Sequence, residues 1–201
     1  MKLLRIGILL AAPGWLTAQS PPSATDTPPT PAEKAEARIL RVIGPVEQIG
    51  AFAGAGLEQW YDHPAEWKQG VLGYTRRLGA ADGWLVAQNS IGFGMDTALK
   101  LDPRYHHSQQ HGFWPRMKDA MLQNFLAYTD SGGRMVNYSE FASSYGAGFL
   151  SNIWYPRSAN GVGGALQRGS IGLAFNTATN VGKEFRGDIG RLIRTKILGG
   201  N

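Results

Sequence analysis

The sequence predicts an all-α protein, a bundle of five or six glycine-rich helices of which two are long. In several segments apolar residues recur at intervals of three and four, the spacing that places them on one face of a helix. Proline–glycine pairs or turn-forming clusters separate these segments. The 27 glycines among 201 residues exceed average usage, and glycine in a helix is favoured where two backbones approach closely.

The N-terminal residues predict an export signal. Lys2 and Arg5 precede the short apolar run Ile6–Leu16, and cleavage is expected after Ala18. This pattern is typical of a secretory signal peptide over residues 1–18, and the run is too short to span a membrane. An uncleaved anchor is the alternative. We therefore expect an exported protein, in the periplasm or associated with the outer membrane.

The chain contains no cysteine, which excludes disulfide bonds and a lipid anchor on an N-terminal cysteine. Residues 19–31 are rich in proline, serine and threonine and contain no apolar repeat. Such a segment buries too little surface to offset its ordering entropy, which predicts a disordered linker. Residues 32–201 are predicted to form a single helical domain.

Two helices open this domain. Residues 32–43 are rich in good helix formers and follow a proline, which suits the first turn of a helix. Gly44 and Pro45 end this segment. A second helix is predicted over residues 46–61. Its apolar residues recur at helical spacing: Val46, Ile49, Ala53, Leu57 and Trp60.

A long helix, or two helices stacked end to end, is predicted over residues 66–99. Gly79 and Gly83 are four residues apart and share a face, which predicts a groove for a neighbouring helix. The same segment carries a polar stripe with a spacing of seven: Asp82, Asn89 and Asp96. Solvent exposure is the favoured interpretation of this stripe. The alternative is a polar seam inside the bundle, where these groups would need hydrogen-bond partners.

A helix stop and a histidine-containing loop follow, and residues 89–116 are the most promising place for a site. The candidate ligand-binding residues of this region are Asp96, Asp102, Arg104 and Tyr105. On a helix, His107 and His111 would share a face and could bind one metal ion. Two histidines leave a zinc site short of ligands, however, and the HExxH motif is absent. An exposed polar loop without metal or other cofactor is the favoured interpretation.

Two further helices are predicted after the loop. Residues 115–128 are expected to form an amphipathic helix with these inward-facing residues: Met117, Ala120, Met121, Phe125 and Leu126. Residues 134–138 are extended at most, and Asn137 or Ser139 is expected to cap a helix over residues 140–154. The predicted buried face of that helix contains Phe141, Tyr145, Phe149 and Ile153. A narrower face contains Ser144, Gly148 and Asn152.

Residues 160–197 predict the second long helix, in which Gly182 and Gly187 are candidate break points. A strand over residues 170–175 is a minor alternative. One face carries the polar stripe Asn176, Asn180 and Glu184. Another carries the candidate surface-binding residues Lys183, Arg186, Arg191, Arg194 and Lys196. Such a basic amphipathic helix can lie on anionic lipid. Docking on the core is favoured, since cations also stabilise a helix C-terminus.

Several stretches together resemble a group of uncharacterised exported proteins of Gram-negative soil bacteria, notably acidobacteria. These stretches are GFGMDTALKLDPRY, GFWPR, NYSEFASSYGAGFLSNIWYP and GGALQRGSIGLAFNTATNVGKEF. The resemblance extends from Trp60 to about Asp188, and it implies an envelope setting and a shared domain. It implies no activity, cofactor or partner.

The sequence lacks common enzyme signatures. It has no GxSxG nucleophile elbow, no GxxxxGK[ST] loop and no dinucleotide-binding fingerprint between a strand and a helix. The net charge of +5 only weakly favours anionic partners, and nucleic acid is not an expected partner. The leading hypothesis is a non-enzymatic structural or interaction protein of the cell envelope, resting peripherally on an anionic membrane surface or an envelope protein. The alternative is a hydrolase or small-ligand-binding domain that uses the region from Asp96 to His111.

Overall fold

The computed structural model of the chain describes residues 27–195. Six α-helices lie in this range: α1 (Pro31–Ile43), α2 (Pro45–Trp60), α3 (Val71–Leu99), α4 (Phe113–Leu122), α5 (Tyr138–Leu150) and α6 (Val162–Ile193). Three short strands form one antiparallel sheet in the order β1 (Leu101–Asp102), β2 (Leu126–Thr129) and β3 (Arg134–Val136). The predicted helix bundle with two long helices is confirmed, with α3 and α6 as the long ones.

The start of α1 lies at the end of the predicted linker. Residues 27–30 belong to neither helix nor strand, and Thr30 caps the helix. The Thr30 hydroxyl accepts a hydrogen bond from the Glu33 amide, and the Glu33 carboxylate accepts one from the Thr30 amide. This reciprocal pair satisfies amide donors that a helix start leaves free. The predicted signal peptide (1–18), residues 19–26 of the predicted linker and Lys196 lie outside the described residues.

Helix α3 is the central element of the bundle. It packs against α1, α2 and α5, while α6 packs against α5 and α4. Glycine permits the closest approaches: a Cβ on Gly148 of α5 would lie 2.3 Å from the Ala165 carbonyl oxygen of α6. The predicted groove at Gly79 is wrong, because a Cβ there would meet open space. At Gly83 a Cβ would lie at an ordinary distance from Trp154.

The interior is made of small apolar residues and paired charges. Its buried alanines are Ala51, Ala55, Ala80, Ala87, Ala120, Ala127, Ala147, Ala159 and Ala165. Among the charged side chains, Arg38 of α1 forms a 2.7 Å ion pair with Asp96 of α3, and both are buried. Asn89 is buried as well, and Asp82 is half-buried. Solvent exposure was therefore the wrong interpretation of this stripe, since Arg38 supplies the partner that burial of Asp96 requires.

The apolar face of α2 points outward. Such a face normally packs on the core. Here the residues of α2 that pack inward are Glu47, Ala51 and Ala55, and the large apolar side chains on its exposed side are Val46, Ile49, Phe52, Leu57 and Trp60. Inward packing uses small side chains because α2 lies close against α3. None of the described helices is long and apolar enough to cross a membrane.

Three further predictions need correction. Helix α4 ends at Leu122, and the following residues form β2, which pairs with both other strands. Accordingly, Met121 and Phe125 are partly exposed. On α5 it is the narrow face with Ser144 and Gly148 that is buried, because α6 approaches there. The apolar residues predicted to be buried include two exposed ones, Phe149 and Ile153.

The start of α5 and the course of α6 follow from local sequence. Asn137 caps α5 as predicted, since its side-chain oxygen accepts a hydrogen bond from the Glu140 amide at 3.0 Å. Helix α6 runs without a break through Gly182 and Gly187. The alternative strand over residues 170–175 is wrong, because these residues lie within α6.

Candidate functional site

A polar cavity lies where α1, α2, α3, α5 and α6 meet the sheet and the loop after β1. Its volume is about 40 Å³, which is room for a few water-sized groups. All four predicted ligand-binding residues line it: Asp96, Asp102, Arg104 and Tyr105. The turn after α3 brings them together, since Lys100 ends the helix in a left-handed conformation and the chain reverses into β1.

The two aspartates of this set are held by cations. Asp96 is paired with Arg38, as described above, and Asp102 accepts three hydrogen bonds from the Arg104 guanidinium, at 2.6, 2.8 and 3.1 Å. The ring nitrogen of His106 lies 3.3 Å from the same carboxylate. Burial alone would raise the pKa of Asp102, but hydrogen bonds from His106 and Arg104 outweigh it and hold this pKa well below its usual range.

Glu184 of α6 ties the loop after β1 to the bundle. Its carboxylate accepts hydrogen bonds from the Tyr105 hydroxyl at 2.9 Å, the Ser108 amide at 3.0 Å and the Arg116 guanidinium at 2.7 Å. Burial opposes ionisation of Glu184, yet these donors and His107 keep its pKa below the usual value. For Tyr105, burial and the neighbouring carboxylate raise the pKa. Glu184, the last residue of the polar stripe of α6, thus holds the loop after β1 against the bundle through hydrogen bonds.

The histidines play separate parts. Residues 107–111 are not helical, so His107 and His111 do not share a helix face. The His107 ring contacts Glu184 at 3.1 Å, whereas His111 is exposed. His106 is buried and packs edge-on against Tyr128. No group of three or more histidine and acidic side chains that could hold a metal ion occurs within residues 27–195.

Sequence reasoning missed the part of the cavity wall that α1, α2 and α5 provide. Glu140 of α5 accepts hydrogen bonds from Asn176 and, at 3.2 Å, from Ser144. Arg41 of α1 lies 3.9 Å from the same carboxylate. Glu47 of α2 also lines the cavity. These residues come from separate elements and share no motif, and the only sequence signal was the narrow polar face of α5.

Lys183 has a different environment from the other predicted surface-binding residues. It lines the cavity, with its ammonium nitrogen 3.8 Å from the Glu47 carboxylate. Burial, together with the nearby charge of Arg41, lowers its pKa to about 8. Arg186, Arg191 and Arg194 are exposed instead. Lys183 is therefore half-buried beside the cavity and is not part of the exposed basic face.

The pKa of Lys183 predicts how stability depends on pH. Below pH 8 this lysine is charged in both states, whereas between pH 8 and 10 the unfolded chain, with an ordinary value of 10.5, binds more protons than the folded one. The free energy of unfolding should therefore rise with pH in this window, by at most about 1.4 kcal/mol per pH unit. Urea unfolding at pH 8, 9 and 10 should show the rise in the wild type but not in Lys183→Met. Equal slopes in the two proteins would contradict it.

The basic end of α6 lies beyond the start of α2. Phe175 of α6 packs at the position of Gly50, and Lys183 lies near Glu47, so the two helices run antiparallel here. The turns of α6 after Lys183 consequently extend past Pro45. They carry the exposed apolar residues Ile189 and Leu192 and the exposed arginines Arg186, Arg191 and Arg194.

No protein-family model, curated protein or solved structure matches the chain. The resemblance to exported acidobacterial proteins is not tested by these comparisons and stays a prediction. Support for a function comes from the two surfaces described above, the polar cavity and the outward apolar face of α2.

Proposed function

We propose that this protein is a non-enzymatic component of the cell envelope that rests peripherally on an anionic lipid surface. The outward apolar face of α2 carries this proposal. Phe52, Leu57 and Trp60 are 50%, 61% and 83% exposed on one side of a helix whose opposite side packs on α3. A helix with its large apolar residues on the solvent side is the arrangement that interfacial binding uses.

The chemistry at the two ends of this face supports a lipid rather than a protein occupant. Trp60 and Tyr61 stand exposed at its C-terminal end, and such amphipathic rings favour the headgroup level of a membrane. Beyond its N-terminal end lie the exposed arginines of α6, which would attract anionic headgroups. Export, predicted from residues 1–18, would bring the chain to the membranes of the envelope.

The character of the interior supports a role without catalysis. Several buried ions are hydrogen-bonded to an opposite charge within the bundle, as Asp96 is to Arg38 and Glu184 to Arg116. Paired charges between helices specify how the helices pack. Association with a lipid surface requires only that the helices pack so that the apolar face of α2 is exposed.

Vesicle binding tests the proposal with a matched pair of variants. Phe52→Ser on α2 should weaken co-sedimentation with anionic vesicles by about tenfold or more, because burying a phenylalanine side chain contributes ~1.5–3 kcal/mol. Phe149→Ser on α5 is the control, since Phe149 is also a phenylalanine and is 45% exposed. It should bind vesicles as the wild type does.

Other outcomes would mean that the outward apolar face of α2 does not bind lipid. Equal binding of the wild type and Phe52→Ser, or no binding at low salt, would contradict a lipid occupant. A dimer in size-exclusion chromatography without lipid that Phe52→Ser dissociates would assign α2 to a second copy of the chain.

Charge reversal at Arg191 and Arg194 should weaken binding to anionic vesicles by about 1 kcal/mol for each arginine near the surface. Added salt should reduce this contribution.

A further inference from the structure

The α2–α6 wall of the polar cavity contains charged groups that lack close partners. Glu47 is only 9% exposed, yet its carboxylate makes no hydrogen bond within the described residues, and its closest cation is Lys183 at 3.8 Å. The side chain of Asn180, which also lines the cavity, has no hydrogen bond to another described residue.

This arrangement differs from that of the other buried ions. A hydrogen bond between an ammonium and a carboxylate is about 2.7–2.9 Å long, so 3.8 Å leaves both groups with unused bonding capacity. Both side chains are largely withdrawn from water, with Lys183 at 26% and Glu47 at 11% exposed, so a molecule that bridges them would supply hydrogen bonds that they do not make to each other. The neighbouring pair of Arg38 and Asp96, at 2.7 Å, shows that the same interior also contains directly bonded ions.

The charges around the cavity balance. The cations that line it are Arg38, Arg41, Arg104 and Lys183, and the anions are Glu47, Asp96, Asp102 and Glu140. A simple anion or a simple cation would meet as many like charges as opposite ones. A small molecule with one charge of each sign would meet complementary partners at both ends.

We infer that the cavity binds a small zwitterion of the α-amino-acid class, with its ammonium group on Glu47 and its carboxylate on Lys183 and Arg41. The ammonium and carboxylate of such a ligand are adjacent, which suits two partners 3.8 Å apart. The volume of about 40 Å³, room for about three water-sized groups, restricts the ligand to the smallest member of the class, glycine. Asn180 offers one further donor and acceptor beside them. This site is independent of the surface association proposed for α2.

Titration calorimetry with glycine on the wild-type protein tests the inference. Glycine should bind saturably, while N-acetylglycine, which lacks the ammonium, and glycinamide, which lacks the carboxylate, should each bind about tenfold more weakly or worse. Equal binding of glycine and either analogue would overturn the need for both charges. No heat of binding with glycine at ~10 mM, where even a ~1 mM complex is mostly formed, would overturn the site.

Two variants assign the binding to the named residues. Glu47→Gln and Lys183→Met should each weaken glycine binding by about tenfold or more. Glu36→Gln, at an exposed position of α1, is the matched control and should bind glycine as the wild type does. Thermal unfolding by circular dichroism identifies a variant that fails to fold, and the analogue series on the wild type then decides. Unchanged binding in folded Glu47→Gln would contradict the proposed position.

Discussion

Arg38→Met is expected to destabilise the fold by about 3–5 kcal/mol, the usual cost of removing one partner of a buried ion pair. The guanidinium of Arg38 donates one hydrogen bond to Asp96 at 2.7 Å and another to Ser139 at 3.1 Å. It fits against α3 because Gly92 has no side chain, and a Cβ there would lie 2.4 Å from the guanidinium. Methionine fills part of the space but leaves the Asp96 carboxylate buried without a counter-ion. Urea unfolding at pH 7 measures the loss.

The double variant Arg38→Met with Asp96→Leu separates charge from packing. Replacement of a whole buried pair by apolar residues is often neutral, so the double variant should recover most of the stability that the single variant loses. A single variant within about 1 kcal/mol of the wild type would mean that Asp96 is solvated. A double variant less stable than the single one would mean that the pair is not isolated from its neighbours.

Gly148→Ala should destabilise the protein by about 1–3 kcal/mol through overpacking. The new methyl group would lie 2.3 Å from the Ala165 carbonyl oxygen and 3.2 Å from the Gly169 amide nitrogen, both backbone atoms of α6. Backbone cannot move aside as a flexible side chain can, so α5 and α6 would have to separate. Differential scanning calorimetry should show a lower melting temperature.

Gly79→Ala is the matched control, with the opposite sign. Gly79 lies inside α3 but faces open space, so alanine there meets no obstacle. Alanine is favoured over glycine in a helix interior by up to about 1 kcal/mol, which should raise the melting temperature. A melting temperature that falls in Gly79→Ala, or stays the same in Gly148→Ala, would contradict the described packing of the glycines.

Local sequence signals located the helices approximately, but they missed strand β2 after α4 and did not indicate which face of each helix is buried. The Gly44–Pro45 break and the Asn137 cap are read directly from neighbouring residues. Periodicity shows that α2 has an apolar face, yet it does not show which neighbour covers that face. For Asp96 the decisive partner is Arg38, 58 residues earlier in the chain. A spacing of seven between polar residues is equally consistent with side chains exposed to solvent and with side chains that are buried and paired.

Only part of the candidate site could be predicted from local sequence. Asp96, Asp102, Arg104 and Tyr105 line one cavity because they flank a single helix stop, and nearness in sequence was enough to group them. The opposite wall contains residues of α1, α2, α5 and α6, which only the packing of the helices brings together. Lys183 illustrates the limit, since its basic neighbours in sequence are exposed while it lines the cavity.

Thiol labelling measures directly whether the face of α2 is outward and whether lipid covers it. The chain has no cysteine, so one introduced thiol reports on one position. Leu57 is 61% exposed and Ala51, on the opposite side of α2, is 6% exposed. In lipid-free protein, Leu57→Cys should therefore react with a water-soluble maleimide much faster than Ala51→Cys.

Anionic vesicles should then slow the labelling of Leu57→Cys, while Phe149→Cys on α5 keeps its rate. These two results together are what lipid association through α2 predicts. Slow labelling of Leu57→Cys without lipid would mean that the face is already covered, and an unchanged rate with saturating vesicles would mean that lipid does not cover it. Either result would contradict the proposal.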